Sequence, residues 1–516
     1  MDLVSHSHIA ALFLQFSLLA GLFLARRQAA ACLERDWGPA LRLAALLWLA
    51  GLALRLWAVP HRPYVFYDEY EHLALAGGLA EGLSFIRCDF RLDDLCLSGW
   101  LPQWPPGYHA LLAWVFKVAG AGWDQAFMFN AFVSSLAIPL FFFFSAVLFR
   151  GPLPGLASAF LIAFLPLHLK FSGNASLEGA SLTFILLALC SWLVYAGKGG
   201  RRAFFLAVSA TAFSAFVRPE NFLLFFFLAA LPFLRSRRPS PAGVLLFLLY
   251  LVLPALYLPG IREYNAENWL PSREQLDGLG LCFKNLRYWL NGPGLPPVFG
   301  LAALSGILLS LRKDKVPAAL LLPAAAFLLV YSFAQKLDLW ALDLKRFNVP
   351  LLAFAVPPAG QAAAWLYGRA AARRGMGGKA AAAVALSVWL LSGAGFVGRE
   401  IVDPAFVSQW RFLSGLRDVP GGAVFSAANP SMAAPFSRGS AVHPEFLLSR
   451  DGPGRLLAGR DIVLLRDRWC DEGGAELCAA LLAGPFSGPE SVKGPYGLSL
   501  HVARNYAAPQ GAPVSK

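Results

Sequence analysis

The sequence predicts an all-α polytopic membrane domain of about 12–13 apolar segments, followed by a small C-terminal external α/β domain. Three observations carry this. First, 57% of the 516 residues are hydrophobic and 15% charged, against roughly 25% charged in a soluble domain. Second, most of the chain before residue 397 consists of closely spaced apolar segments, each near the length that a bilayer demands. Third, apolar density falls from about residue 398, where GGAVFSAA, RDIVLLRDRW and YGLSLHVARN alternate with Gly- and Pro-rich turns as short strands do. The expected domains are therefore 1–397 in the membrane and 398–516 outside it.

Thirteen apolar segments can be placed, at 8–24, 43–59, 107–121, 126–149, 153–169, 176–196, 203–217, 221–235, 243–259, 297–311, 317–334, 348–367 and 380–397. The net charge of +13 raises the question of nucleic acid. The basic residues, however, are dispersed in short runs between apolar segments and form no basic domain, so no nucleic-acid partner is expected. The charge reads as topology. Lys198, Arg201 and Arg202; Arg235, Arg237 and Arg238; Arg312, Lys313 and Lys315; and Arg369, Arg373, Arg374 and Lys379 mark four cytoplasmic loops by the positive-inside rule. The opposite, external side then receives the loops 260–296 and 335–347 and everything after 398, and Arg26, Arg27 and Arg35 mark a fifth cytoplasmic loop, which places the polar stretch 60–105 outside as well. Four segments then lie where an odd number of crossings is required, and 107–121, short and carrying Lys117, is the one expected not to span. The first segment lacks a basic leader and a small-residue cleavage site, so it reads as a retained helix.

The 60–105 loop concentrates polar groups directly after a membrane helix. Its run YDEYEHLALAGGLAEG predicts an amphipathic helix over about 69–81, with Leu73, Ala76 and Leu79 or Ala80 on the apolar face. Asp68 and Glu69 stand at its start. Asp68 followed three residues later by Glu71 is close to a capping box, in which side chains satisfy the orphan amides of a helix start. The other reading is chemical: a carboxylate at the membrane boundary that takes a proton from an acceptor hydroxyl. The sequence leaves both open. Neighbours on a helix point about 100° apart, so one of the pair is the base and the other serves binding.

With Trp104-Pro105-Pro106-Gly107-Tyr108 opening the next apolar segment, the Asp68-Glu69 pair resembles the lipid-phosphate-sugar-dependent membrane glycosyltransferases of the GT-C fold, in the protein O-mannosyltransferase and aminoarabinose transferase branch. LPLHLKFSGNASLEGASLTF, with Pro166 and Glu178, resembles the proline-broken helix pair of that family; SAFVRPENFLLFF resembles its helix break with a basic residue, Arg218. LDLKRFNVPLLAF resembles its Arg-aromatic-x-x-Pro element, with Arg346, Phe347 and Pro350. Two positions depart from the family pattern: His72 stands where a tyrosine is usual, and Gly107 where a bulky apolar residue is usual.

The resemblance implies a GT-C-like domain that moves a sugar from a polyprenyl-phosphate donor to a lipid, glycan or protein acceptor, without a cofactor. Asp68, or else Glu69, is the expected base, and Arg346 and Arg218 the expected donor-phosphate ligands, because a guanidinium offers bidentate hydrogen bonds to phosphate and stabilises the departing charge. Snorkelling to headgroups is the ordinary alternative for both arginines, and for Arg218 so is pairing with Glu220. His72, Trp104, Tyr108, His109, Lys170, Glu178 and Glu220 are the expected lining of a substrate cavity, since ionisable groups within apolar segments face a polar cavity or a partner; His168 meets the same criterion.

No tight histidine spacing points to a metal, and none is expected. Tyr67, Tyr70, Trp100, Trp104 and Tyr108 read first as interfacial anchors. Cys88 with Cys96, and Cys470 with Cys478, are spaced for two local disulfides if their side is an oxidising periplasm, leaving Cys32, Cys190 and Cys282. The expected location is the bacterial inner membrane, with the active site facing the periplasm. The rival from another class is a transporter or flippase of lipid-linked or polar substrates, which would set its polar residues at mid-membrane; no internal repeat supports it.

Overall fold

A computed structural model of the chain describes residues 7–64, 67–82, 87–92, 95–100, 104–225, 241–255, 277–311, 316–341, 344–399, 404–414, 424–427, 441–448, 456–466, 470, 474–484, 486, 491–496, 498–504 and 506. It divides into two compact units: residues 1–62, 103–115 and 124–399, and residues 63–102, 116–123 and 400–516.

The first unit is a helical bundle. The expected segments appear as helices Ser7–Ala30, Gly38–Trp57, Trp123–Ser135 continuing into Ala137–Phe149, Glu178–Lys198, Arg201–Val217, Pro241–Ala255 and Phe299–Leu311. Five helices among the described residues are long and apolar enough to cross a bilayer, six if the bent pair Pro152–Phe164 and Pro166–Ser172 is counted as one span. Segment 107–121 forms a helix of 13 residues, Gly107–Ala119, about 20 Å long at 1.5 Å per residue against a hydrocarbon core of about 30 Å. Segment 221–235 lies largely outside the described residues, as do the loops 260–276 and 312–315. The segments at 348–367 and 380–397 are joined: helix runs through the expected basic loop from Asn348 to Leu391, broken only where Gly375 takes φ 57°, a conformation that suits glycine. Helix Gly278–Asn291, inside an expected loop, was not anticipated; Asp277 caps it by accepting from the amides of Leu279 and Gly280.

Large apolar side chains such as Phe23, Leu49, Leu248, Leu304 and Val388 are exposed along these helices, a surface suited to lipid and costly in water. The chain is an integral membrane protein. Inside the bundle the helices approach closely where side chains are small. A Cβ on Gly306 would collide with the carbonyl oxygen of Pro358, so helices Phe299–Leu311 and Asn348–Leu391 meet backbone to backbone.

The bend of 56° after Phe164 follows from Pro166. Proline biases the residue before it towards extended backbone, and Leu165 has φ −65° and ψ 117°. Proline also has no N–H to give the carbonyl four residues earlier, which is that of Ile162; the amide of Leu167, which would have reached Ala163, instead meets the carbonyl of Gly294. Arg55 takes both orphaned carbonyls, donating to Ile162 at 3.1 Å and Ala163 at 3.2 Å, and also donates to His168 Nδ1 at 2.8 Å. A buried arginine near the end of helix Gly38–Trp57 thus supports the break.

The second unit is built on one seven-stranded sheet of β1 (Arg87–Leu92), β2 (Leu95–Trp100), β3 (Val424–Ser426), β4 (Ala441–Val442), β5 (Ile462–Arg466), β6 (Ser491–Lys493) and β7 (Ser499–Ala503), in the order β2-β1-β4-β3-β5-β7-β6. β4, β3 and β5 run parallel, and the outer pairs are antiparallel. The three expected strand runs are β3, β5 and β7. The hairpin β1–β2 joins through Arg91 opposite Ala441, so residues 63–102, expected within the membrane domain, group instead with 400–516. Leu92 accordingly lies in the core with Val424, Val442, Ile462, Leu464 and Leu481. Cys470 and Cys478 form the expected disulfide; the side chains of Cys88 and Cys96 lie outside those described.

Candidate active site

In the second unit, the helix carrying the acidic pair spans Tyr67–Ala80, starting slightly earlier than the sequence suggests. Glu69 is fully buried and its Oε1 accepts the backbone N–H of Tyr64. The carboxylate fixing the turn before the helix is therefore that of Glu69. Asp68, in the first turn, remains half-exposed. Glu71 and His72 are both buried. Tyr70 is buried too, edge-on to Trp123 with ring centres 4.8 Å apart, and Trp123 stands edge-on to Trp410 at 5.9 Å. Tyr70 thus packs internally, whereas an interfacial anchor was expected; the side chains of Tyr67 and Trp100 lie outside those described.

In the first unit, Pro105 and Pro106 precede helix Gly107–Ala119, where missing N–H groups cost nothing. Trp104 is partly buried there, while Tyr108 and His109 are fully buried. His109 Nδ1 donates to the carbonyl of Pro105 at 3.3 Å, and the Tyr108 hydroxyl to that of Ala175 at 3.0 Å. Gly107 has a steric cause: a Cβ there would meet the carbonyl of Phe216. Gly107→Leu is expected to destabilise the folded protein by about 1–3 kcal/mol through overpacking, measurable as a lower unfolding temperature in detergent.

Lys170 is fully buried, and its ammonium donates to the carbonyls of Phe396, Val397 and Arg399. The hydrogen bonds of this residue, expected in a substrate cavity, thus go to the end of helix Gly395–Gly398.

The expected phosphate ligands meet their carboxylates where two helix ends come together. Helix Glu178–Lys198 begins with Glu178, and helix Arg201–Val217, packed beside it, ends because Pro219 holds Arg218 extended at φ −149° and ψ 128°. Arg218 is buried, with Nη1 3.1 Å from Glu178 Oε1 and Nε 3.1 Å from Glu220 Oε2. Arg346, in the 3-10 turn Leu344–Phe347, is also buried and sets its Nε 3.6 Å from the same Oε1 of Glu178. Phe347 lies beneath both guanidiniums, its ring centre 4.4 Å from Arg218 and 5.2 Å from Arg346, an arrangement that stabilises buried cations. The four charged groups sum to zero. Phe347 stands edge-on to Tyr331 at 5.4 Å, and Gln335 donates to Glu220 at 3.4 Å.

The structure thus brings together Arg218, Glu178, Glu220 and Arg346, which the sequence reading singled out separately, and adds Tyr331 and Gln335, which, like Arg55, that reading missed. Arg55 had a usable signal, an ionisable group within an apolar segment. Among the described residues no three His, Cys, Asp or Glu side chains gather as metal ligands.

No protein-family sequence model matches the chain, and no curated protein matches it. Solved structures do. ArnT from Cupriavidus metallidurans bound to undecaprenyl phosphate superposes with a TM-score of 0.58 at 12% identity, covering 90% of this chain and 99% of its own. Its apo state gives 0.54 at 11%, with the same coverage. The apo oligosaccharyltransferase of Archaeoglobus fulgidus gives 0.51 at 12%, covering 88% of this chain and 73% of its own. At such identities the likeness establishes architecture, and the chain has the GT-C fold.

Proposed function

We propose that this GT-C-fold membrane protein is a glycosyltransferase that takes a sugar from a polyprenyl-phosphate donor and passes it to a lipid, glycan or protein acceptor. The observation that carries the reading is the pair of buried arginines, Arg218 and Arg346, stacked on Phe347 in a fold shared with a protein that binds undecaprenyl phosphate. Guanidinium groups held in a water-poor setting are suited to charge that appears on a leaving phosphate.

In the proposed reaction Asp68 accepts the proton of an acceptor hydroxyl as its oxygen attacks the anomeric carbon. The bond from that carbon to the phosphate oxygen breaks, and the polyprenyl phosphate leaves with its charge opposite Arg346, with Arg218 as the second cation. Glu69 takes the positioning role, since it is buried and bonded to the backbone, whereas half-exposed Asp68 suits a group that must meet an acceptor. His72 in the second unit, and Trp104, Tyr108, His109, Glu178 and Glu220 in the first, are the proposed substrate-facing residues. We place the reaction on the external face of a bacterial inner membrane. The distribution of basic loops supports that side, and so does the Cys470–Cys478 disulfide, which favours an oxidising compartment.

The test uses purified protein in liposomes with a set of radiolabelled polyprenyl-phosphate monosaccharides and an envelope extract as acceptor. Label leaving the lipid with wild-type protein, and remaining on it with Arg346→Ala, supports the proposal. Label that crosses the bilayer still attached to its lipid supports a flippase instead.

A further inference from the structure

The arginine cluster contains an asymmetry that a simple phosphate site does not require. Glu220 uses both carboxylate oxygens: Oε2 faces Arg218 Nε at 3.1 Å, and Oε1 receives Arg218 Nη2 at 3.5 Å and Gln335 Nε2 at 3.4 Å. Among the described residues Glu178 directs only Oε1 at the arginines, and its buried Oε2 has no hydrogen-bond partner. The Tyr331 hydroxyl, on the ring that stands edge-on to Phe347 at 5.4 Å, is likewise buried and, among the described residues, without a hydrogen-bond partner. One carboxylate is anchored on both sides; the other is held by a single edge.

An uncompensated guanidinium pair would attract a phosphate strongly, but here two carboxylates cancel both cations. An incoming anion must therefore compete with one of them. The competitor with the fewest bonds to lose is Glu178. Building on the polyprenyl-phosphate reading above, we propose that Glu178 is an exchangeable counter-anion: it neutralises the shared arginine edge when no donor is bound, yields that edge to the lipid phosphate, and retakes it to expel polyprenyl phosphate after transfer. Glu220 holds Arg218 throughout. The unpartnered hydroxyl of Tyr331 is the proposed donor to a phosphate oxygen or to the displaced carboxylate. The device favours turnover over tight binding, because a site with two unopposed arginines would retain its anionic product.

The proposal fixes the sign of an effect. Binding of undecaprenyl phosphate to detergent-purified full-length protein, measured by native mass spectrometry, is expected to tighten at least tenfold in Glu178→Gln. In the transfer reaction KM and kcat are both expected to fall, as they do when product release slows. Glu220→Gln also removes a negative charge but frees Arg218 from its anchor, so it is expected to tighten binding less than Glu178→Gln does. Should Glu178→Gln fail to fold, Glu178→Asp carries the same test: it withdraws the carboxylate by one methylene and is expected to tighten binding about threefold. Unchanged or weaker binding in a folded Glu178 variant overturns the exchange. If the wild type binds the probe, Arg346→Ala does not, and Glu178→Gln equals wild type, the exchange fails alone. If the wild type does not bind the probe, the polyprenyl-phosphate reading falls, and the exchange with it.

Discussion

Asp68→Asn is expected to lower sugar transfer about a thousandfold, within the range that general-base catalysis contributes, while leaving the protein folded. The amide is nearly isosteric with the carboxylate but cannot accept the acceptor's proton. The fold should survive because the helix start is secured by its neighbour, Glu69, which takes the Tyr64 amide. Glu69→Gln separates the two roles. It weakens a charge-assisted hydrogen bond in a buried turn and should lower stability, with a loss of transfer that follows from displacement of Asp68. Rates at equal amounts of folded protein, judged by size-exclusion profile, check both. If Asp68→Asn transfers at the wild-type rate, the chemical role passes from this pair altogether.

The largest effect on stability is expected at Arg218. Its guanidinium lies 3.1 Å from each of two buried carboxylates and above the ring of Phe347. Among the described residues, Arg218→Ala leaves Glu220 with no cation at ion-pair distance and Glu178 with Arg346 alone, at 3.6 Å. Removing one partner of a buried pair costs about 3–5 kcal/mol, because the uncompensated charge remains in a poorly solvated place. Arg218→Lys retains the charge but offers a single point donor to two carboxylates on different sides, so it should fall between. Thermal unfolding in detergent is the check. The double variant Arg218→Met with Glu220→Gln should recover part of the loss if charge imbalance causes it.

Much of this architecture is legible in the sequence because a bilayer imposes a length and a polarity on each helix. The apolar segments, the short one at 107–121 and the proline break at Pro166 all follow from local chemistry. So do β3, β5 and β7, which are runs of β-branched and apolar residues bounded by turns. The hairpin β1–β2 does not: its sheet partner is Ala441, far along the chain, and nothing local marks a polar loop as one edge of a remote sheet. The basic run from Arg369 to Lys379 reads as a loop because charge is its only local signal, yet it stays helical up to a glycine.

The site shows the same division. Arg218 and Glu220 are two residues apart, so their pairing was visible as an alternative; the meeting of Glu178 with Arg346 depends on packing. Lys170 was picked out because a buried cation needs a partner, and sequence alone cannot say whether that partner is a substrate or, as found, the carbonyls ending a helix. Tyr331 lies in the π-helical turn Val330–Ala334, where its place beside Phe347 arises from tertiary contacts that no periodicity reveals.

The central claim is transfer of a sugar from a lipid phosphate. Its most direct test compares, by mass spectrometry, the glycolipids and glycoproteins of cells expressing the wild-type chain or Asp68→Asn at matched membrane levels. The expected result is one sugar modification present with the wild type and absent with the variant, its mass identifying both sugar and acceptor. Identical products at identical levels from the two cells would contradict it.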